Sequence, residues 1–158
     1  MSEPVPSLRV RALQWLAARE HSRQELRAKL LRVAGEQGGE PDVVASEVDA
    51  LLDQLEARGQ LNTARFVEAR VHAREARFGN RRIEYELKQH GLVPDGALRE
   101  QLKLSELARG REVWRKKFGQ PPAGLAERAK QTRFLLARGF SGDVVRTLMS
   151  GEHEVEGS

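Results

Sequence analysis

AREHSRQELRAKLLRVAG, residues 18–35, reads as the start, body and end of one short helix. Ser22 followed three residues later by Glu25 is a capping-box pattern, and Leu26, Leu30 and Val33 then recur at helical spacing. Gly35 comes just after the last apolar contact, where glycine commonly closes a helix. A second stretch, AREARFGNRRIEYELKQHG at 73–91, repeats the plan. It begins Ala-Arg-Glu, puts Gly79 where the first has Ser22, places Ile83 and Leu87 four and eight residues on, and closes with Gly91. The match, with a shift of one residue, points to tandem units of about 50 residues, each three helices long.

The closing pattern of a leucine, three residues and a glycine occurs as Leu31/Gly35, Leu55/Gly59, Leu87/Gly91 and Leu135/Gly139. Gly35, Gly91 and Gly139 are read as ending the second helix of each unit, and Gly59 as ending the third helix of the first. Leu8, Ala12 and Leu16 precede as a first helix, and Gly38-Gly39 connects to a third that Pro41 opens with Val44, Val48, Leu51, Leu52 and Leu55. Residues 66–77, FVEARVHAREAR, also alternate as a strand would. Length, alanine and arginine content, and a face of Phe66, Ala69, Ala73 and Ala76 favour a helix.

Gly79 separates this helix from the one bearing Ile83 and Leu87, and Pro94-Asp95 opens the next. Val113, Trp114 and Phe118 mark a further helix, which Gly119 to Pro122 break. Leu125, Ala129, Thr132 and Leu136 run helically to Gly139, and Ser141 caps a last helix with Val144, Val145 and Leu148. The expected fold is all-α: three tandem three-helix repeats at 7–59, 60–104 and 105–150, in an elongated, curved array. Residues 1–6 form an N-terminal tail and 151–158 an acidic C-terminal one.

The chain has no cysteine, which excludes a disulfide framework and thiolate zinc sites. It has neither an apolar run near 20 residues nor a signal-peptide pattern, so a soluble cytoplasmic protein without a membrane partner is expected. The net charge of +4 hides an uneven distribution. Residues 65–138 hold 18 Lys and Arg against 9 Asp and Glu, while residues 36–58 hold 7 acids and one base. A basic middle suggests a polyanionic partner, and the acidic segment would repel one.

Catalysis lacks its parts, and no cofactor or metal is expected. His21, His72, His90 and His153 show no ligand spacing, and no glycine-rich phosphate loop follows a strand. Glu84 and Glu86, two apart on a helix, face differently and make no carboxylate pair. Arginine is the distinctive reagent. On an uninterrupted helix Arg70, Arg74, Arg77 and Arg81 would stack as one stripe, with Arg82 and Lys88 beyond the glycine. A second group, Arg115, Lys116 and Lys117, leads to Arg128, Lys130 and Arg133. The bland reading is solvated faces paired with Glu68, Glu75, Glu84 and Glu127. The functional one is contact with phosphates or an acidic protein surface, for which arginine's planar fork is suited. Trp15, Trp114 and Phe118 could stack on bases, but Trp114 and Phe118, four apart on a helix, fit a core better.

Three stretches together resemble the RecX family, bacterial regulators of the RecA recombinase: LAAREHSRQELRAKL (16–30), LEARGQLNTARFVEARVHAREARFGNRRIEYELKQHGL (55–92) and KQTRFLLARGFSGDVVRTLM (130–149). They are similar to that family's landmarks and stand in the same order. Asn80 departs from the family's frequent proline after the glycine, and residues 34–42 form a glycine-rich linker. The resemblance implies three tandem three-helix repeats that bind the RecA filament in its helical groove. It further implies hindered ATP hydrolysis and strand exchange and limited filament growth, tempering recombination and the SOS response. The twelve basic residues named above would contact RecA or DNA, single- or double-stranded and without sequence preference, from a monomeric protein in the bacterial cytoplasm. The alternative is a helix-turn-helix DNA-binding protein, since Gly59 and Gly139 sit in short turns. The basic residues, however, are spread over several helices rather than gathered on one.

Overall fold

The computed structural model describes residues 5–151, which form eight helices and no strand. They are α1 (Leu8–Ala18), α2 (Arg23–Glu36), α3 (Pro41–Ala57), α4 (Thr63–Arg74), α5 (Asn80–Gln89), α6 (Gly96–Lys117), α7 (Leu125–Ala137) and α8 (Gly142–Met149). The acidic tail, with Glu152, His153, Glu154 and Glu156, lies outside the described residues. The chain divides into two compact units, Met1–Ala69 and Arg70–Ser158, and the division falls within α4.

Local chemistry sets most helix starts. Ser22 Oγ accepts from the Glu25 backbone N–H at 3.1 Å, Asp95 Oδ1 from Leu98 at 2.8 Å, and Ser141 Oγ from Val144 at 3.3 Å. Each satisfies a donor that has no partner inside its helix. Pro41 occupies the first turn of α3, where its missing N–H costs nothing.

Three of the four leucine–glycine pairs end helices by one shared geometry. At Leu55/Gly59 the glycine, at φ +73°, donates to Glu56, and Gln60 donates to the leucine carbonyl at 2.9 Å. Leu87/Gly91 and Leu135/Gly139 do the same, with Leu92 and Phe140 donating to the leucine carbonyls at 3.0 and 3.2 Å. The spacing therefore records a Schellman motif, whose paired bonds need a left-handed residue. Leu31/Gly35 does not belong to this set. Gly35 lies inside α2, and the stop falls at Gly38, φ +79°, with Gly39 donating to Ala34. The extra turn keeps Ala34 helical, 4% exposed, in the core of the first unit.

In that unit α2 packs between α1 and α3, burying Ala12, Leu26, Leu30, Ala34, Val48, Leu52 and Leu55. Across α2 and α3 the acidic segment finds its partners. Arg23 bonds Asp53 and Glu56 at 2.9 and 3.1 Å, and Arg27 bonds Asp49 at 2.8 Å. Three of the segment's seven acids thus pair with the unit's own arginines.

In the second unit α6 packs on α5, α7 and α8, and α7 packs on α8. Val113, Trp114, Leu135, Phe140, Val145, Leu148 and Met149 form its core. The two helices expected between Pro94 and Phe118 are one, the 22-residue α6. Its interior Gly110 is a packing device rather than a break. A Cβ there would lie 3.2–3.3 Å from Leu148, Val144 and Phe140, so its absence lets α8 close on α6. Two expected faces also differ. On α4 Phe66 and Val71 are buried while Ala69 and Ala73 are exposed, as is Ala76 in the turn that follows. On α7 Leu125 and Leu136 are exposed, and Gln131, Phe134 and Leu135 face the core. Buried Gln131 reads as polar in the sequence, but its Oε1 accepts from the Trp114 indole N–H at 2.8 Å.

Candidate polyanion-binding surface

The turn joining α4 to α5 is held from beneath by α6. Half-buried Arg109 donates through Nη1 to the carbonyls of Glu75 and Phe78, at 3.1 and 2.9 Å. Its Nη2 donates to the Leu102 carbonyl and Asn80 Oδ1, and its Nε to Ser105 Oγ. Burial lowers the pKa of this guanidinium, opposed by Glu106 and Glu75. Buried Glu106 accepts the backbone N–H of Asn80 at 2.8 Å. Only a five-donor planar group could serve so many acceptors at once.

The same turn meets the end of α7 backbone to backbone. Gly79 donates to the Arg138 carbonyl at 2.8 Å, and Arg81 to the Gly139 carbonyl at 3.0 Å. Free donors at the start of α5 thus satisfy free acceptors after α7. The approach requires glycine on both sides: a Cβ on Gly79 would lie 2.3 Å from Phe140 N, and one on Gly139 2.5 Å from Arg82 Cβ.

Phe78, at the crest of this turn, is ringed by cations. The guanidinium carbons of Arg82, Arg138, Arg77 and Arg74 lie 5.0, 5.3, 5.5 and 5.9 Å from its ring centroid. Arg138 also lies 5.1 Å from the centroid of Phe134, and Lys117 Nζ is 5.4 Å from that ring. Phe118 meets Phe134 edge to face at 5.3 Å. A ladder of alternating cations and rings therefore joins Phe78 to the end of α6. Glu86 is the one carboxylate bonded to this group among the described residues, to Arg74 at 2.9 Å and Arg82 at 3.3 Å. Four guanidiniums around one ring and one carboxylate leave a local positive excess. Rings hold the cations in place, each contact contributing about 0.5–1 kcal/mol at an exposed site, while like charges so close favour an incoming anion.

The expected stripe on one helix is not what forms. Arg70 and Arg74 are on α4, Arg77 is in the turn, and Arg81, Arg82 and Lys88 are on α5. Helix α4 stops at Arg74, and the chain reverses over Phe78 and Gly79. Arg74, Arg77 and Arg82 come together; Arg81 and Lys88 are exposed beside them on α5. In the second group Arg115 is bonded to Glu112 at 3.0 Å, which holds that carboxyl below the usual carboxylate range. Lys116 is exposed, as are Arg128, Lys130 and Arg133 on α7, and those three have no carboxylate partner among the described residues. Trp114 is core, and Trp15 and Phe118 are half-buried against their cores. Sequence reasoning missed Phe78, Arg138 and Arg109. The one available signal was a lone aromatic inside the arginine-rich run REARFGNRR.

Comparison with known proteins places these residues in context. A family model described as the third three-helix domain of RecX matches residues 105–149, which hold the second half of α6, then α7 and α8. The chain is 48% identical over 157 residues to the regulatory protein RecX of Leptothrix cholodnii, covering 97% of this chain and 94% of that one. It is 47% identical over 151 residues to the regulatory protein RecX of Ralstonia pickettii, covering 94% and 90%. The crystal structure of RecX from Lactobacillus salivarius aligns with a TM-score of 0.69 at 18% identity, over 94% of this chain and 95% of that one, a likeness of fold.

Proposed function

The chain belongs to the RecX family of regulatory proteins, and from that premise we propose that it binds RecA filaments on DNA and restrains them. It seats in the filament's helical groove and inhibits ATP hydrolysis, strand exchange and filament growth, tempering recombination and the SOS response. The observation that carries this reading is similarity along nearly the whole chain rather than at one motif. It acts by binding, without catalysis, as a monomer in the bacterial cytoplasm. No helix among the described residues is long and apolar enough to cross a membrane.

The working surface is the cation and ring ladder, with Arg70, Arg74, Arg77, Arg81, Arg82, Lys88, Arg115, Lys116, Lys117, Arg128, Lys130 and Arg133 on or around it. These side chains come from α4, a turn, α5, α6 and α7. That spread favours contact with phosphates or acidic protein surface over sequence reading by one recognition helix. The repeats run 7–59, 60–104 and 105–150, with α6 serving both the second and the third. The family match beginning at residue 105 supports that division. Titration into RecA assembled on single-stranded DNA tests the function: strand exchange falls as the protein is added, and unchanged exchange at saturation refutes inhibition.

A further inference from the structure

Tyr85 is 60% exposed, and every Phe and Trp ring of the chain is buried or half-buried. Its hydroxyl has no hydrogen-bond partner among the described residues. On α5 it stands opposite the buried pair Ile83 and Leu87, with Arg81 four residues before it and Lys88 three after, both exposed. Seven residues of helix put those two cations about 10 Å apart along the axis with the ring between them. Arg82, three residues before Tyr85, joins this face to the guanidiniums around Phe78. Its ring has no ring or cation contact among the described residues, and most of its surface is open.

We propose that the outer face of α5 is a stacking site for single-stranded nucleic acid, with a base on Tyr85 and the flanking phosphates on Arg81 and Lys88. The proposal rests on the reading of the neighbouring ladder as a polyanion surface and names which polyanion this face takes. An acidic protein surface offers charge without a regular series of π-faces, and a duplex hides its base faces in the stack. A single strand presents both phosphates and open bases to a ring set among cations. The preference is for base over no base and not for one base over another, because every base has a face to stack.

The test is fluorescence anisotropy of the full chain with labelled oligo(dT) and with an abasic strand of equal length, RecA being absent. Tyr85→Ala weakens oligo(dT) binding about tenfold, in the range for one stacked base, and leaves abasic-strand binding unchanged. Tyr85→Phe keeps the wild-type preference. Equal loss on both strands, or no loss on oligo(dT), overturns the proposal. So does a Tyr85→Ala variant that restrains RecA less while binding oligo(dT) as wild type does, since that makes the ring a protein contact. Normal stacking behaviour in a protein without effect on RecA would refute the regulatory function and leave the stacking site standing.

Discussion

Gly79 donates its backbone N–H to the carbonyl oxygen of Arg138 at 2.8 Å, fastening the start of α5 to the end of α7 across 59 residues of sequence. Together with the Arg81 bond to Gly139 and the Arg109 donors beneath the turn, this bond sets where Phe78 sits, and so where four arginines meet. Gly79→Ala puts a methyl 2.3–2.4 Å from Phe140 N and the Gly139 carbonyl, contacts with backbone that no rotamer relieves. The expected loss is about 1–3 kcal/mol or more, as for overpacking, read as a lowered midpoint in urea unfolding. An unchanged midpoint would mean the two turns are not in contact.

Gly35 predicts the opposite sign. It is helical, and a Cβ there meets nothing within 4 Å. Gly35→Ala stabilises the chain by about 0.5–1 kcal/mol, whereas Gly38→Ala, at φ +79°, destabilises it. Thermal melting of the pair decides which glycine stops α2.

Arg109 is a structural arginine within a basic sequence. Arg109→Met leaves the carbonyls of Glu75, Phe78 and Leu102 without their guanidinium donor, at about 1–3 kcal/mol for each group that water does not reach. Lysine does not rescue it, having three donors and no fork. Stability measured by denaturant, with far-ultraviolet circular dichroism to follow helix content, separates this loss from a loss of binding.

His21 predicts a pH dependence. Its ring is 1% exposed, with Nδ1 3.0 Å from the Arg19 carbonyl and Nε2 2.8 Å from Lys29 Nζ, which itself lies 5.3 Å from the Trp15 ring centroid. Nε2 accepts from the ammonium only if the imidazole is neutral with its proton on Nδ1. Burial lowers its pKa below the ordinary 6.5, with Arg19 and Lys29 acting the same way and the Arg19 hydrogen bond and Glu25 opposing. Below pH 6.5 the unfolded chain therefore binds the proton more readily than the folded one, so stability is full above that pH and falls below it. His21→Gln has a flatter profile between about pH 7.5 and 5 by melting; a slope equal to wild type would place the titrating group elsewhere.

The helix starts at Ser22, Pro41, Asp95 and Ser141 were legible because each rests on chemistry within three residues. Three glycine stops were legible for the same reason. Gly35 misled because the choice between it and Gly38 depends on burying Ala34 against other helices. The continuity of α6 was missed because Pro94-Asp95 and the Val113, Trp114 and Phe118 group were read as separate helices, and the role of Gly110 between them emerges only once α8 packs on it. The apolar face of α7 was misassigned because Gln131 becomes a core residue only through Trp114. The basic residues were singled out from the sequence, but as a helical stripe. Their convergence depends on Phe78 and Arg138, which no local spacing connects.

ATP hydrolysis by RecA on single-stranded DNA, titrated with the wild-type chain and with Arg77→Glu/Arg81→Glu, reads both the regulation and the surface that carries it. Both residues are exposed and carry no carboxylate partner among the described residues, so the variant folds normally, whereas Arg74, bonded to Glu86, is left intact. Wild type suppresses hydrolysis, and the folded double variant requires at least about tenfold more protein, the effect of losing roughly 1.4 kcal/mol of binding. Hydrolysis unaffected by saturating wild-type protein would contradict the regulatory function, and equal suppression by the folded variant would contradict the role of the surface around Phe78.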